Sequence, residues 1–170
     1  MDIIMKKIII GVMGGGRVSD EDMQNACRLG RLIAESGWVL LNGGRNTGIM
    51  EASAKGAKEA GGLTIGILPD KDGRNASKYI DIQIRTGAND ARNYYNVLSS
   101  DVVVACKGRA GTISEIALAL KNKKNVILMD FDLGSAFFEY EQEGLLHKAQ
   151  SPEDAVNKVK EILNKIAVTI

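Results

Sequence analysis

The chain has 170 residues, 45% of them apolar and 25% charged, and its 22 basic and 21 acidic side chains leave a net charge of +1. That size and balance suit one domain, residues 1–170, with a real core, and they exclude a protein that binds nucleic acid by neutralising its backbone. Two cysteines and one histidine supply neither a disulfide framework nor a usual zinc spacing, and no apolar run reaches membrane-spanning length, so a cytoplasmic domain with no metal site and no membrane partner is expected.

Met5-Lys6-Lys7 reads as a second start site, which makes residues 1–4 an inert extension. Residues 7–13 are an apolar run ending in Gly14-Gly15-Gly16-Arg17 and suit a strand buried on both faces of a parallel sheet. Ser19 with Asp20, Glu21 and Asp22 signals a capped helix that runs to about Ser36, and Gly37 stops it. A second strand, 38–41, leads into Asn42-Gly43-Gly44. A helix over 47–60 follows, with a very small face (Ala52, Ala57, Ala60, and Gly56 beside it) suited to lying close on a sheet. Gly61-Gly62 ends it, and 63–68 is a third strand closed by Pro69.

Residues 70–78 turn polar and read as the most mobile loop, and 79–85 as a short strand. A helix is expected over 89–99, with Tyr94, Val97 and Leu98 on one face. The β-branched run 102–106 then breaks into Lys107-Gly108-Arg109-Ala110-Gly111, and a helical pattern (Ile113, Ile116, Ala117, Leu120) begins at once. Residues 125–129 form another strand, 131–142 fit either loop or helix, and Ser151-Pro152-Glu153-Asp154 opens a terminal helix. Cys27 and Cys106 fall at core positions.

Strands alternating with helices predict an α/β fold: a single doubly wound, Rossmann-like domain with a mostly parallel sheet and helices on both faces. In such sheets ligands bind beyond the carboxyl ends of the strands. All three glycine-rich turns lie at such ends, so one edge should gather Gly14–Arg17, Gly43–Gly48 and Gly108–Thr112. Helix N-termini there offer unpaired N–H groups and partial positive charge to an anion. Asn42 stands where an acid would grip a ribose, which excludes the dinucleotide fingerprint, and no Gly-Lys-Ser/Thr ending marks a P-loop.

Thr112-Ile113-Ser114-Glu115 fits two roles. It has the form of a capping box, Thr112 covering a helix N–H and Glu115 reaching back to the cap. It also places a carboxylate at the mouth of a cationic turn, where an acid–base group would act. Arg92, early in its helix, suits either a surface ion pair or a forked clamp for a phosphate or carboxylate. His147 reads as surface or packing.

Gly43-Gly44-Arg45-Asn46-Thr47-Gly48-Ile49-Met50 together with Gly108-Arg109-Ala110-Gly111-Thr112-Ile113-Ser114-Glu115 resembles the paired signature of the Lonely Guy-like proteins, long misnamed lysine decarboxylases. That superfamily of Rossmann-like domains includes cytokinin-activating nucleoside monophosphate phosphoribohydrolases and molybdenum cofactor carriers. The likeness runs from about residue 7 to 129. The tract 48–62 and Ala91-Arg92-Asn93 look more like the carrier branch. Lys107 and Arg109 replace the first proline and second glycine of the hydrolase pattern, Arg45 replaces a third glycine, and Asn93 replaces the lysine of an Arg-Lys pair.

The resemblance implies a binding or carrier protein for an anionic phosphorylated molecule, with molybdenum cofactor or a nucleotide as bound cargo and no catalytic cofactor required. Gly14, Gly15, Gly16, Gly43, Gly44, Gly108, Gly111 and Thr112 would cradle the anion, with Arg45, Lys107 and Arg109 as countercharges. The alternative it implies is a phosphoribohydrolase with Arg92 positioning the substrate and Glu115 stabilising a ribosyl cation or activating water. It further implies a homo-oligomer, a dimer or larger.

Overall fold

The computed structural model describes residues 6–169; the second start at Met5 and the extension before it lie outside them. The elements are β1 (Ile9–Met13), α1 (Asp20–Glu35), β2 (Val39–Asn42), α2 (Gly48–Glu59), β3 (Thr64–Leu68), β4 (Ile82–Arg85), a 3-10 turn (Asn89–Ala91), α3 (Arg92–Leu98), β5 (Val102–Ala105), α4 (Ala110–Lys121), β6 (Asn125–Met129), α5 (Phe138–Gln142), β7 (Leu146–Ala149) and α6 (Pro152–Thr169).

The strands form one seven-stranded sheet in the order β4-β3-β2-β1-β5-β6-β7. Every pairing is parallel. Strand order therefore reverses between β1 and β5, where Gly11 stands opposite Val103 and Met13 opposite Ala105. Successive side chains of a strand face opposite ways, and here both faces are covered. Ile10, Val12, Val102, Val104 and Ile127 pack under α1, α2 and α6. Met13, Leu41, Val103, Ala105 and Leu128 pack under α3 and α4.

Helix starts follow their chemistry. Ser19 and Asp22 close a complete capping box at α1, and Pro152 occupies the first position of α6. The small face of α2 differs in purpose from its sequence reading. It meets α1 rather than the sheet: a β-carbon on Gly56 would strike the Cys27 carbonyl, and one on Gly30 would strike that of Ser53. The predicted helix over 89–99 is divided, because Asn89 takes a left-handed φ of 50° and a 3-10 turn precedes α3. The ambiguous stretch 131–142 contains the short, exposed α5, and β7, a four-residue edge strand, is an element that the sequence reading does not contain. His147 lies on β7, its Nε2 3.1 Å from Asn125 Oδ1.

The polar segment 70–78 is tied down at its far end. Asn46 N–H donates to Asn75 O (2.9 Å), Ser77 N–H donates to Gly44 O (2.8 Å), and Arg45 bridges Ala76. Cys106 is buried, which pushes its thiol up to about 12, and Cys27 is half-buried; both are free. Among the described residues no helix is long and apolar enough to cross a membrane.

Candidate functional site

The three glycine turns meet at the reversal of strand order. Gly15 N–H donates to Lys107 O at 2.9 Å, which joins the β1 turn to the β5 turn. Ile49 N–H donates to Gly15 O (3.1 Å) and Thr47 Oγ1 to Gly16 O (2.9 Å), which join it to the start of α2. The approach is close enough to demand glycine: a β-carbon on Gly14 would enter Ile49, and one on Gly108 would enter the Thr112 hydroxyl.

A cleft of about 320 Å³ opens above this junction. Gly14, Gly15, Gly16 and Gly43 line it from the β1 and β2 turns; Gly111, Thr112 and Glu115 line it from one face of α4; Arg92 enters from α3 and Arg109 from the turn before α4. Val12, Met13, Arg17, Met50, Asp90 and Asn93 complete the wall. Arg17 was expected at this edge as the end of the first glycine turn but without a role, Met50 stood only as the last residue of the first signature motif, and Asp90 carried no sequence signal.

Four of the expected site residues stand outside the lining. Lys107 turns away to Asp22 (3.1 Å) and Asp130 (3.0 Å), and this pair of carboxylates holds its ammonium. Arg45 is exposed and its backbone serves the bridge to Ala76. Gly44 N–H is taken by Asn42 Oδ1 at 2.7 Å, while Asn42 Nδ2 donates to Met50 O (2.9 Å) and Ser53 Oγ (3.1 Å). Asn42, fully buried, is thus a bracket between the β2 turn and α2. Gly108 packs on Thr112 and Gly15. Gly15, although it lines the cleft, has spent its N–H on Lys107.

The first turn of α4 has a different character. Its cap is Arg109, in extended conformation with no side-chain cap bond, so the capping box expected from Thr112 and Glu115 does not form. The helix begins three residues earlier than that reading requires, its cap at Arg109 rather than Thr112, and Glu115 lies a turn too far along to reach the cap. The N–H groups of Gly111 and Thr112, in the first turn, face a cleft flanked by guanidinium groups, an arrangement that holds anions.

Glu115 is instead buried, 6% exposed, with Asn96 Nδ2 donating to its Oε1 at 2.8 Å. Burial pushes its carboxyl up to about 7, against the opposing pull of the Asn96 bond and the Arg92 charge. Arg92 Nη1 donates to Ile67 O at 3.2 Å. Burial lowers its pKa as well, Glu115 opposing and Arg45 adding to the shift. The cleft therefore offers an uncapped helix terminus, three guanidinium groups and one buried carboxyl. Among the described residues no group of three or more His, Cys, Asp or Glu is placed to hold a metal ion.

The SLOG cluster4 family matches residues 7–156 of this chain. A molybdenum cofactor binding protein from the phototrophic bacterium Rippkaea orientalis is 53% identical, with a TM-score of 0.88 over 94% of this chain and 99% of that one. The molybdenum cofactor carrier protein of Chlamydomonas reinhardtii is 44% identical, with a TM-score of 0.86 over the same shares. An uncharacterized protein of Archaeoglobus fulgidus is 45% identical over 156 residues, 90% of this chain and 95% of its own.

Proposed function

The chain belongs to the SLOG cluster4 family, and on that premise we propose that it binds and carries molybdenum cofactor, a phosphorylated pterin held at the carboxyl edge of the sheet. The observation that carries the reading is the uncapped first turn of α4 set between Arg17, Arg92 and Arg109 in one cleft. A phosphate accepts hydrogen bonds from the Gly111 and Thr112 N–H groups, and the arginines balance its charge. The glycine floor lets a flat ring system approach the backbone. Carriage requires that no bond break, so affinity and release rate are the functional quantities. The likeness to the Rippkaea and Chlamydomonas proteins supports this cargo in particular.

The test is native mass spectrometry of protein produced with and without an intact cofactor supply, together with the fluorescence of oxidised pterin released by denaturation. A retained phosphorylated pterin near one per chain is expected. Protein that never retains it, and never binds it when the isolated cofactor is added anaerobically, sinks the reading.

The same spectra count subunits. We place a second copy of the chain on the outer faces of α3 and α4, as a dimer or larger assembly. From Asn93 to Leu98 there is no ionisable side chain except tyrosine, and from Ala110 to Leu120 only buried Glu115. Tyr94, Tyr95, Leu98 and Ile113 stand exposed there, and an aromatic, uncharged surface is typical of the core of an interface. Two free cysteines suit the reducing cytoplasm.

One observation favours a second reading, nucleoside monophosphate phosphoribohydrolase: Arg92 and Glu115 line the same cleft, and the carboxyl is raised to about 7. Water would add to the ribose anomeric carbon as the base leaves with the glycosidic electron pair and a proton, Glu115 opposing the ribosyl cation or taking the proton of the water. Free base and ribose 5-phosphate released from a mononucleotide panel, and lost in Glu115→Gln, would establish it. Absence of release over the panel removes it.

A further inference from the structure

A buried carboxyl is an odd fixture in a site built for an anion. Glu115 follows Thr112 by three residues and Gly111 by four, so all three share one face of α4, and all three line the cleft. An anion seated on the Gly111 and Thr112 N–H groups therefore lies about one helical turn from the carboxyl. Like charges so close in poorly hydrated surroundings are costly.

The neighbours of Glu115 relieve that cost only in part. Asn96 supplies its hydrogen bond. Arg92, the cation on α3, has Nη1 committed to Ile67 O, and no ion pair within 4.0 Å joins it to Glu115. Arg17 and Arg109 belong to the exposed rim, Arg45 is exposed and outside the lining, and Asp90 adds further negative charge. Lys107 is occupied by Asp22 and Asp130.

We propose that Glu115 meets the ligand as a neutral carboxyl group, and that capture of an anionic ligand takes up one proton at this side chain. The inference rests on the carrier reading and deepens it. Neutral Glu115 keeps one oxygen as acceptor for Asn96 and turns the acid proton to the cleft as a hydrogen-bond donor. The carboxyl needs little persuasion, since burial already holds it near neutrality. Binding is then strongest below pH 7 and weakens above it, because each captured ligand must bring a proton. The ligand's own phosphate acts in the opposite sense, gaining charge as pH rises through about 6 and so favouring the arginines.

Anaerobic calorimetric titration of the full chain with isolated molybdenum cofactor, from pH 5.5 to 9 in pairs of buffers with different ionisation heats, tests this. Wild type is expected to lose about tenfold in affinity per pH unit above 7 and to take up close to one proton per ligand at pH 8, falling to none at pH 5.5. Glu115→Gln, which keeps an acceptor for Asn96 and a donor for the cleft, is expected to bind within a few-fold of wild type at pH 6 and to lose the decline above 7. A flat wild-type profile without proton uptake, or an equally steep variant, overturns the inference and leaves the carrier reading standing. Failure to bind at every pH removes the carrier reading, and the inference falls with it. Should the variant not fold, the wild-type proton count decides alone.

Discussion

The guanidinium of Arg92 occupies the space in which a side chain at residue 43 would begin. A β-carbon built on Gly43 falls inside the group, with Nη1, Cζ and Nη2 its nearest neighbours. The obstacle is the far end of a flexible side chain, so Gly43→Ala should fold and expel Arg92 from the cleft. Ligand affinity should fall roughly ten- to a hundredfold, the range of a hydrogen bond to a charged group. In an Arg92→Ala background the same glycine change should cost almost nothing. Additive losses across this double-mutant cycle would show that the two residues act separately.

Lys107 and Arg109 sit two residues apart in one turn and should answer differently to mutation. The Lys107 ammonium is held by Asp22 and Asp130, whereas Arg109 lines the cleft. Lys107→Ala should leave affinity for the pterin phosphate within a few-fold of wild type and lower stability only slightly, as loss of an exposed ion pair does. Arg109→Glu should weaken binding by at least about tenfold, since it replaces attraction with repulsion at the anion. Equal losses in the two variants would return Lys107 to the site.

These contrasts mark where the sequence stops being informative. The parallel sheet was legible because runs such as 102–105 are apolar on both faces, and helix starts because Ser19 and Pro152 carry their own local chemistry. Glycine at strand ends located the cleft, because close approach of backbone to backbone leaves no other choice. Side-chain direction was not legible. Lys107 and Arg109 look equivalent in the turn, and only the fold brings Asp22 and Asp130 beside the first. Thr112 and Glu115 have capping-box spacing, yet the cap falls three residues earlier, at Arg109, because Ala110 and Gly111 are already helical. β7 escaped because four residues with a histidine and a lysine at its centre carry too little apolar pattern.

Helix α2 rests on α1 through backbone contact at Gly56 and Gly30, so neither position has room for a methyl group. Gly56→Ala would gain helix propensity of about 1 kcal/mol in an isolated peptide. In the protein it must push a helix away from the Cys27 carbonyl, which cannot swing aside as a side chain does. A net loss of about 1–3 kcal/mol is expected, the cost of overpacking a close contact, measured as a lower urea midpoint. A stabilised variant would mean that the helices are held more loosely than their geometry shows.

Glu115 should also leave its mark on folding in the absence of ligand. Its carboxyl is raised from 4.5 to about 7, so the folded chain holds the proton more tightly than the unfolded one. Stability from this group is fully present below about pH 4.5, declines as pH rises towards 7, and is flat beyond. At about 1.36 kcal/mol per unit, the ionised carboxyl costs the fold up to about 3 kcal/mol above pH 7. Glu115→Gln keeps the acceptor for Asn96 Nδ2 and cannot ionise. The variant should therefore match wild type near pH 4 and exceed it by an amount that grows to about 3 kcal/mol at pH 8, in urea denaturation followed across that range. Other titrations are shared by the two proteins and cancel in the difference. A difference that does not change with pH would mean that the carboxyl is ionised throughout, stabilised by a cation the present geometry does not bring to it. A difference of the expected form would mark Glu115 as a destabilising residue retained for what the cleft binds, the exchange of stability for function common at binding sites.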